Sequence, residues 1–143
     1  MGYFQALLKD PGPHTPLSRY TFYNGLFYVA FGLSLYAWPG QLQLSFGIPP
    51  FVANEEGMVR VIGVITAIVG YFYVFGSRTR SDVFGLSTVA DRLLIPFFIV
   101  PLGLAGQLPM VVAIAMSAFD PVLGIGAFIL WRRSQRAAGP APV

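Results

Sequence analysis

The chain has no cysteine and one histidine, and only 10% of its 143 residues are charged. Each shortage removes a class of chemistry. Without cysteine there is no disulfide, no thiolate nucleophile, no thiolate-ligated iron–sulfur cluster and no thiol switch. A single histidine, His14, rules out a bis-histidine haem within the chain and argues against a histidine-rich metal site. A soluble domain carries about 25% charged residues, and a chain so far below that has too few to cover a water-facing surface. There is no glycine-rich dinucleotide fingerprint, no phosphate-binding loop, no HExxH helix and no Ser/His/Asp set. One Asp per helix beside an Arg is a poor hard-metal site, so neither metal nor cofactor is expected. The net charge of +3 is small and sits in a few segments, which reads as a topology signal and excludes nucleic acid as a partner. The opening MGYFQALLKDPGPHTP lacks the charged start, apolar run and small-residue site of a cleavable leader, and Ala6 breaks a myristoylation pattern.

What is present is apolar. Hydrophobic residues make up 55% of the chain and aromatics 15%, and mean hydropathy is +0.66. Four stretches fit membrane spans: 20–38, 56–75, 82–104 and 109–131. Each is about 19–23 residues long, enough to cross a ~30 Å hydrocarbon core at 1.5 Å per residue. The expected fold is therefore all-α, an integral membrane four-helix bundle in contact with the lipid bilayer. Residues 1–138 form one domain and 139–143 a disordered tail.

Basic residues orient the spans. Lys9 and Arg19 precede the first, Arg78 and Arg80 join the second to the third, and Arg132, Arg133 and Arg136 follow the fourth. The connections on the other side, 39–55 and 105–109, have no Lys or Arg. The positive-inside rule then puts both termini in the cytoplasm of a multi-pass protein of the cell (inner) membrane. The connection after the first span alternates Leu42, Leu44, Phe46 and Ile48 with polar or small residues. It reads either as a short extended segment on the outer face or as a plain loop.

Small and polar residues mark the inward faces, because helices in lipid associate through close packing and polar contacts. Gly25, Tyr28, Gly32 and Tyr36 share a face of the first span, with Asn24 beside it. Arg60, Gly63, Ala67 and Gly70 line the second, and Ala113, Ser117, Asp120, Gly124 and Ala127 the fourth. In the third, Ser87 with Asp91 and Thr88 with Arg92 are spaced i, i+4, ahead of Pro96 and Pro101.

Ionisable residues at bilayer depth cost several kcal/mol unless paired or wet, so Asp91, Arg92 and Asp120 are the residues that call for a purpose. Asp120 and Arg92 fall at similar depth on neighbouring antiparallel helices, which predicts an ion pair between them. Arg60, near the opposite end, has three options: pairing with Glu56, reaching inward to Asp120, or snorkelling outward. Glu55, Glu56, Asp91 and Asp120 outnumber Arg60 and Arg92, so at least one buried acid lacks a basic partner. Asp91 and Asp120 are the candidates, as acid/base groups or proton relays. Pro121 removes the helical donor for the Ser117 carbonyl, leaving it open to Arg92 or Arg60 and making room beside Asp120.

Glu56-Gly57-Met58-Val59-Arg60-Val61-Ile62-Gly63, Ala90-Asp91-Arg92-Leu93 and Phe119-Asp120-Pro121 ahead of Trp131-Arg132-Arg133 together resemble the DoxX-like small four-helix bacterial membrane proteins. That resemblance implies a four-helix bundle, associated in some relatives with quinone-linked redox complexes or an accessory role. A more distant likeness is to sterol-isomerase-like bundles, whose intramembrane His this chain lacks. Three functions stay open. The first is a non-catalytic accessory or assembly subunit among membrane-protein partners. The second is a binder or enzyme for a lipid-soluble molecule (quinone, sterol or isoprenoid) with Asp91 and Asp120 as catalytic groups and Glu56, Arg60, Ser87, Arg92, Tyr28 and Asn24 around them. The third is a small proton-coupled transporter, acting as a homo-oligomer.

Overall fold

The computed structural model describes Leu8 and residues 13–137, so Lys9 and the tail expected to be disordered lie outside it. The described residues form five helices and no strand: α1 Pro16–Ala37, α2 Gly40–Phe46, α3 Glu55–Ser77, α4 Asp82–Leu104 and α5 Met110–Ala137. Three of them, α3, α4 and α5, are long and apolar enough to cross a membrane. Helix α1 matches them in length but is diluted by Tyr, Ser, Thr and Asn.

Local chemistry sets the helix ends. Thr15 Oγ1 accepts the Ser18 amide at 3.1 Å and Pro16 occupies the first turn, where its missing N–H costs nothing. Helix α4 runs through Pro96 and Pro101 and stops at Gly106, whose φ of 70° is left-handed. There Gln107 N–H bonds the Leu102 carbonyl at 2.9 Å and Gly106 N–H the Gly103 carbonyl at 3.1 Å, a Schellman closure that turns the chain straight into α5. The segment after α1 is not extended. Residues 40–46 form α2, closed by Gly47 at φ 60°. The period-two alternation misled because Gln41, Leu42, Gln43 and Leu44 have no β-branch and are good helix formers with no sheet edge to join.

The long helices form two antiparallel pairs, α1 with α3 and α4 with α5, each more intimate within itself than with the other. In the first pair the backbones touch. A Cβ on Gly25 would stand 2.8 Å from the Gly70 carbonyl, and one on Gly32 would stand 2.4 Å from that of Gly63. Both glycine pairs are seven residues apart on their helices, so the two contacts repeat after two turns on one seam. In the second pair Gly103 receives Ala113, and Gly124 lies against Val89 and Arg92. The pairs meet near the terminal end, where Leu17, Val89 and Ala127 form a small core flanked by Tyr20 and Trp131, and Leu17 fills the space above Gly85.

The outside of this assembly is apolar. Less than a quarter of the most hydrophobic window of α3, α4 or α5 is buried within the chain. Such a surface suits lipid and would be untenable in water.

Backbone contact at two crossings makes a specific expectation. Gly32→Ala or Gly63→Ala forces α1 and α3 apart and lowers detergent-solubilised stability by about 1–3 kcal/mol. The double variant loses less than the sum, since the helices have already separated. Gly57 has open space around it, so Gly57→Ala should be neutral or mildly stabilising in the same thermal melts.

Candidate functional site

Five side chains from all four long helices converge: Tyr28, Asp91, Arg92 and Asp120 from near the middle of α1, α4 and α5, and Tyr73 from about one turn before the end of α3. Tyr28 of α1 donates its hydroxyl hydrogen to Asp120 Oδ1 of α5. Tyr73 of α3 donates to Asp91 Oδ2 of α4 at 2.6 Å. The two tyrosine rings meet edge to face with centroids 5.7 Å apart. The Arg92 guanidinium lies 5.0 Å from the Tyr73 ring centroid and 5.6 Å from that of Tyr28. The tyrosines belong to one helix pair and the charged residues to the other. The cluster is thus a double clasp, two tyrosine–aspartate bonds with a cation against both rings.

The sequence explains why these residues can meet. Tyr28 lies three residues after Gly25 and Tyr73 three after Gly70, so each hangs from a crossing where the α1 and α3 backbones touch. Gly124 lies across from Arg92, where an added Cβ would stand 3.4 Å from the Arg92 Cβ. Arg92 is 2% exposed, and none of Nε, Nη1 or Nη2 has a hydrogen-bond partner. The rings replace water through their negative faces, a contact that strengthens as it is desolvated. Asp91 lies within electrostatic reach of both Arg92 and Asp120.

The expected Arg92–Asp120 ion pair is not formed. The ion pair among the described residues is Arg60–Glu56, at 2.7 Å on one face of α3. Asp120 takes a phenol in place of a guanidinium because Tyr28 reaches across from α1, while Arg92 turns onto the two rings. Nor does Arg92 serve the Ser117 carbonyl freed by Pro121, since its nitrogens have no partner.

Of the other expected residues, Arg60 pairs with Glu56 and also donates to the Tyr36 carbonyl, capping the last turn of α1 from outside. It does not reach Asp120. Asn24 is buried with Nδ2 unpartnered. Ser87 is exposed, and its hydroxyl bonds the Phe84 carbonyl at 2.7 Å on its own helix, so it does not join Asp91. Thr88 likewise bonds Gly85 in place of Arg92. Tyr73 is the member that the sequence reading passed over. Its position on the Gly63–Gly70 stripe was the available signal.

The described residues form a hollow of about 370 Å³ between α1 and α2, lined by Phe31, Trp38 and Phe46. Another, of about 380 Å³, lies near the terminal end around His14, Tyr20 and Leu130. Neither is lined by any member of the clasp. No group of His, Cys, Asp and Glu among the described residues could hold a metal ion. No family model, curated protein or solved structure matches the chain.

The clasp should behave as one energetic unit. Tyr28→Phe leaves Asp120 without its donor and should cost about 1.5–3 kcal/mol. The Tyr28→Phe/Asp120→Ala cycle should then show a coupling of about 1 kcal/mol or more. Arg92→Leu strips the cation from two carboxylates and should be the most damaging single change, at about 3–5 kcal/mol. Additive losses in the cycle would mean that Tyr28 and Asp120 do not interact.

Proposed function

We propose that this chain is a non-catalytic accessory or assembly subunit of a larger membrane complex, built as a four-span bundle with both termini cytoplasmic in the cell (inner) membrane. The orientation rests on charge. Arg19, Arg78, Arg80, Arg132, Arg133 and Arg136 all lie at the end of the helices where the described chain begins and ends. Helix α1 counts as a span because it is as long as its neighbours and locked to α3 by direct backbone contact.

The observation that carries the subunit reading is how the polar groups are used. Tyr28, Tyr73, Asp120 and Arg92 act within the clasp, Asp91 accepts from Tyr73 while facing out of the bundle, and neither hollow described above is lined by any of the five. A group that must meet a lipid-soluble substrate needs space at its reactive atom. Helix-binding energy, by contrast, is what a clasp supplies. The resemblance to DoxX-like proteins suggests a quinone-linked redox complex as the host, and the broad apolar exterior gives partner helices room to settle.

Gentle extraction at native expression level, followed by mass spectrometry of the co-purifying material, separates the readings. Partner proteins in fixed stoichiometry are expected. A lone homo-oligomer retaining one specific lipid or quinone would contradict the subunit reading and make Asp91 and Asp120 a working site.

A further inference from the structure

Asp91 differs from the rest of the clasp in being exposed at the molecular surface, although it lies near the middle of α4. It is about 14 Å from Asp82 and about 20 Å from Leu104 along the helix, too deep for a lipid headgroup from either side. Around it α4 presents an open face: Ser87, Leu94 at 52% exposure and Phe98 at 69%, at one- and two-turn spacings. Within the chain the carboxylate accepts a side-chain hydrogen bond from Tyr73. The cluster as a whole has two carboxyl groups and one guanidinium, so one acid has no cation of its own within it, and Asp91 is where that acid meets the outside.

We infer that the Ser87–Asp91–Leu94–Phe98 face of α4 is a docking site for a transmembrane helix of a different protein, one that carries a Lys or Arg at mid-bilayer depth. The identification rests on the subunit reading above and adds the partner's chemistry. Charge decides the sign: an excess carboxylate facing hydrocarbon is matched by a cation from the neighbouring helix. A second copy of this chain is a poor occupant. Its Arg92 is buried against the tyrosine rings, its Arg60 is engaged with Glu56 and the Tyr36 carbonyl, and its other arginines lie at helix ends.

Labelled designed helices test this directly. The full chain in phosphatidylcholine vesicles is mixed with a Leu/Ala transmembrane peptide bearing one central Lys, and association is read by energy transfer. Control peptides have Leu in place of that Lys, or the Lys moved to the helix end. The central-Lys peptide should associate at least tenfold more tightly than either control. That preference should vanish in Asp91→Asn, persist in Asp91→Glu, which shows that the charge and not a folding defect is responsible, and persist in Glu56→Gln. Equal association of all three peptides, or a preference that survives Asp91→Asn, would overturn the site. Self-association of the chain that depends on Asp91 would overturn it in favour of a second copy. In native extracts, a stoichiometric partner that Asp91→Asn still retains would remove this face while leaving the subunit reading intact. Absence of any partner would remove the reading itself.

Discussion

Two tyrosine hydroxyls reaching across to two aspartates hold the halves of this molecule together. Elsewhere the helix pairs touch through one hydrogen bond that Tyr20 donates to the Leu123 carbonyl at 3.2 Å, and through apolar contacts around Leu17, Gly85 and Ala127, of Phe27 against Phe119 and of Phe84 against Gly76. In lipid such contacts bring little driving force, because hydrocarbon solvates a Leu as well as another Leu does. A hydrogen bond from phenol to carboxylate is different: away from water, neither group has an easy substitute. The strongest polar links across the junction are therefore Tyr28–Asp120 and Tyr73–Asp91, with Arg92 against both rings supplying the positive charge that allows two acids to share the same depth.

The glycine seam serves the clasp. Gly25 and Gly70 bring α1 and α3 into backbone contact one turn from Tyr28 and Tyr73, which sets the rings side by side at 5.7 Å. A bulkier residue at either glycine would separate the rings as well as the helices. Packing within one helix pair thus fixes the geometry with which it grips the other. The same economy appears at the far end, where Arg60 joins its own helix to the last turn of α1 through the Tyr36 carbonyl.

Much of this was legible in the residues. The small-residue faces of the first, second and fourth spans are the buried faces, because glycine and alanine spacing states directly where backbones approach. The limits 82–104 coincide with α4, marked by Ser81 ahead of Asp82 and by Gly106 beyond its end. The partners of the charges were harder to read. Charge alone joins Arg92 to Asp120, whereas the fold chooses Tyr28 for Asp120, and no pattern along one helix shows which neighbour lies across from it. Tyr73 was hidden for a related reason: among seven tyrosines in an aromatic-rich chain, its role appears only when the Gly70 crossing sets it opposite Asp91. The alternation at 42–48 failed as a strand signal because period-two hydrophobicity needs a neighbouring edge to become a strand, and none of the described residues provides one.

The central claim is that the clasp holds the two helix pairs at a fixed separation. Because the chain has no cysteine, single cysteines can be introduced cleanly at Ile62 on α3 and Phe98 on α4, both exposed, and spin-labelled in vesicles. The distance distribution between them, measured by pulsed electron resonance, should be narrow in the otherwise unaltered chain and should broaden markedly in Tyr28→Phe/Tyr73→Phe. An unchanged narrow distribution in the double variant would contradict the account, because something other than the clasp would then be holding the pairs.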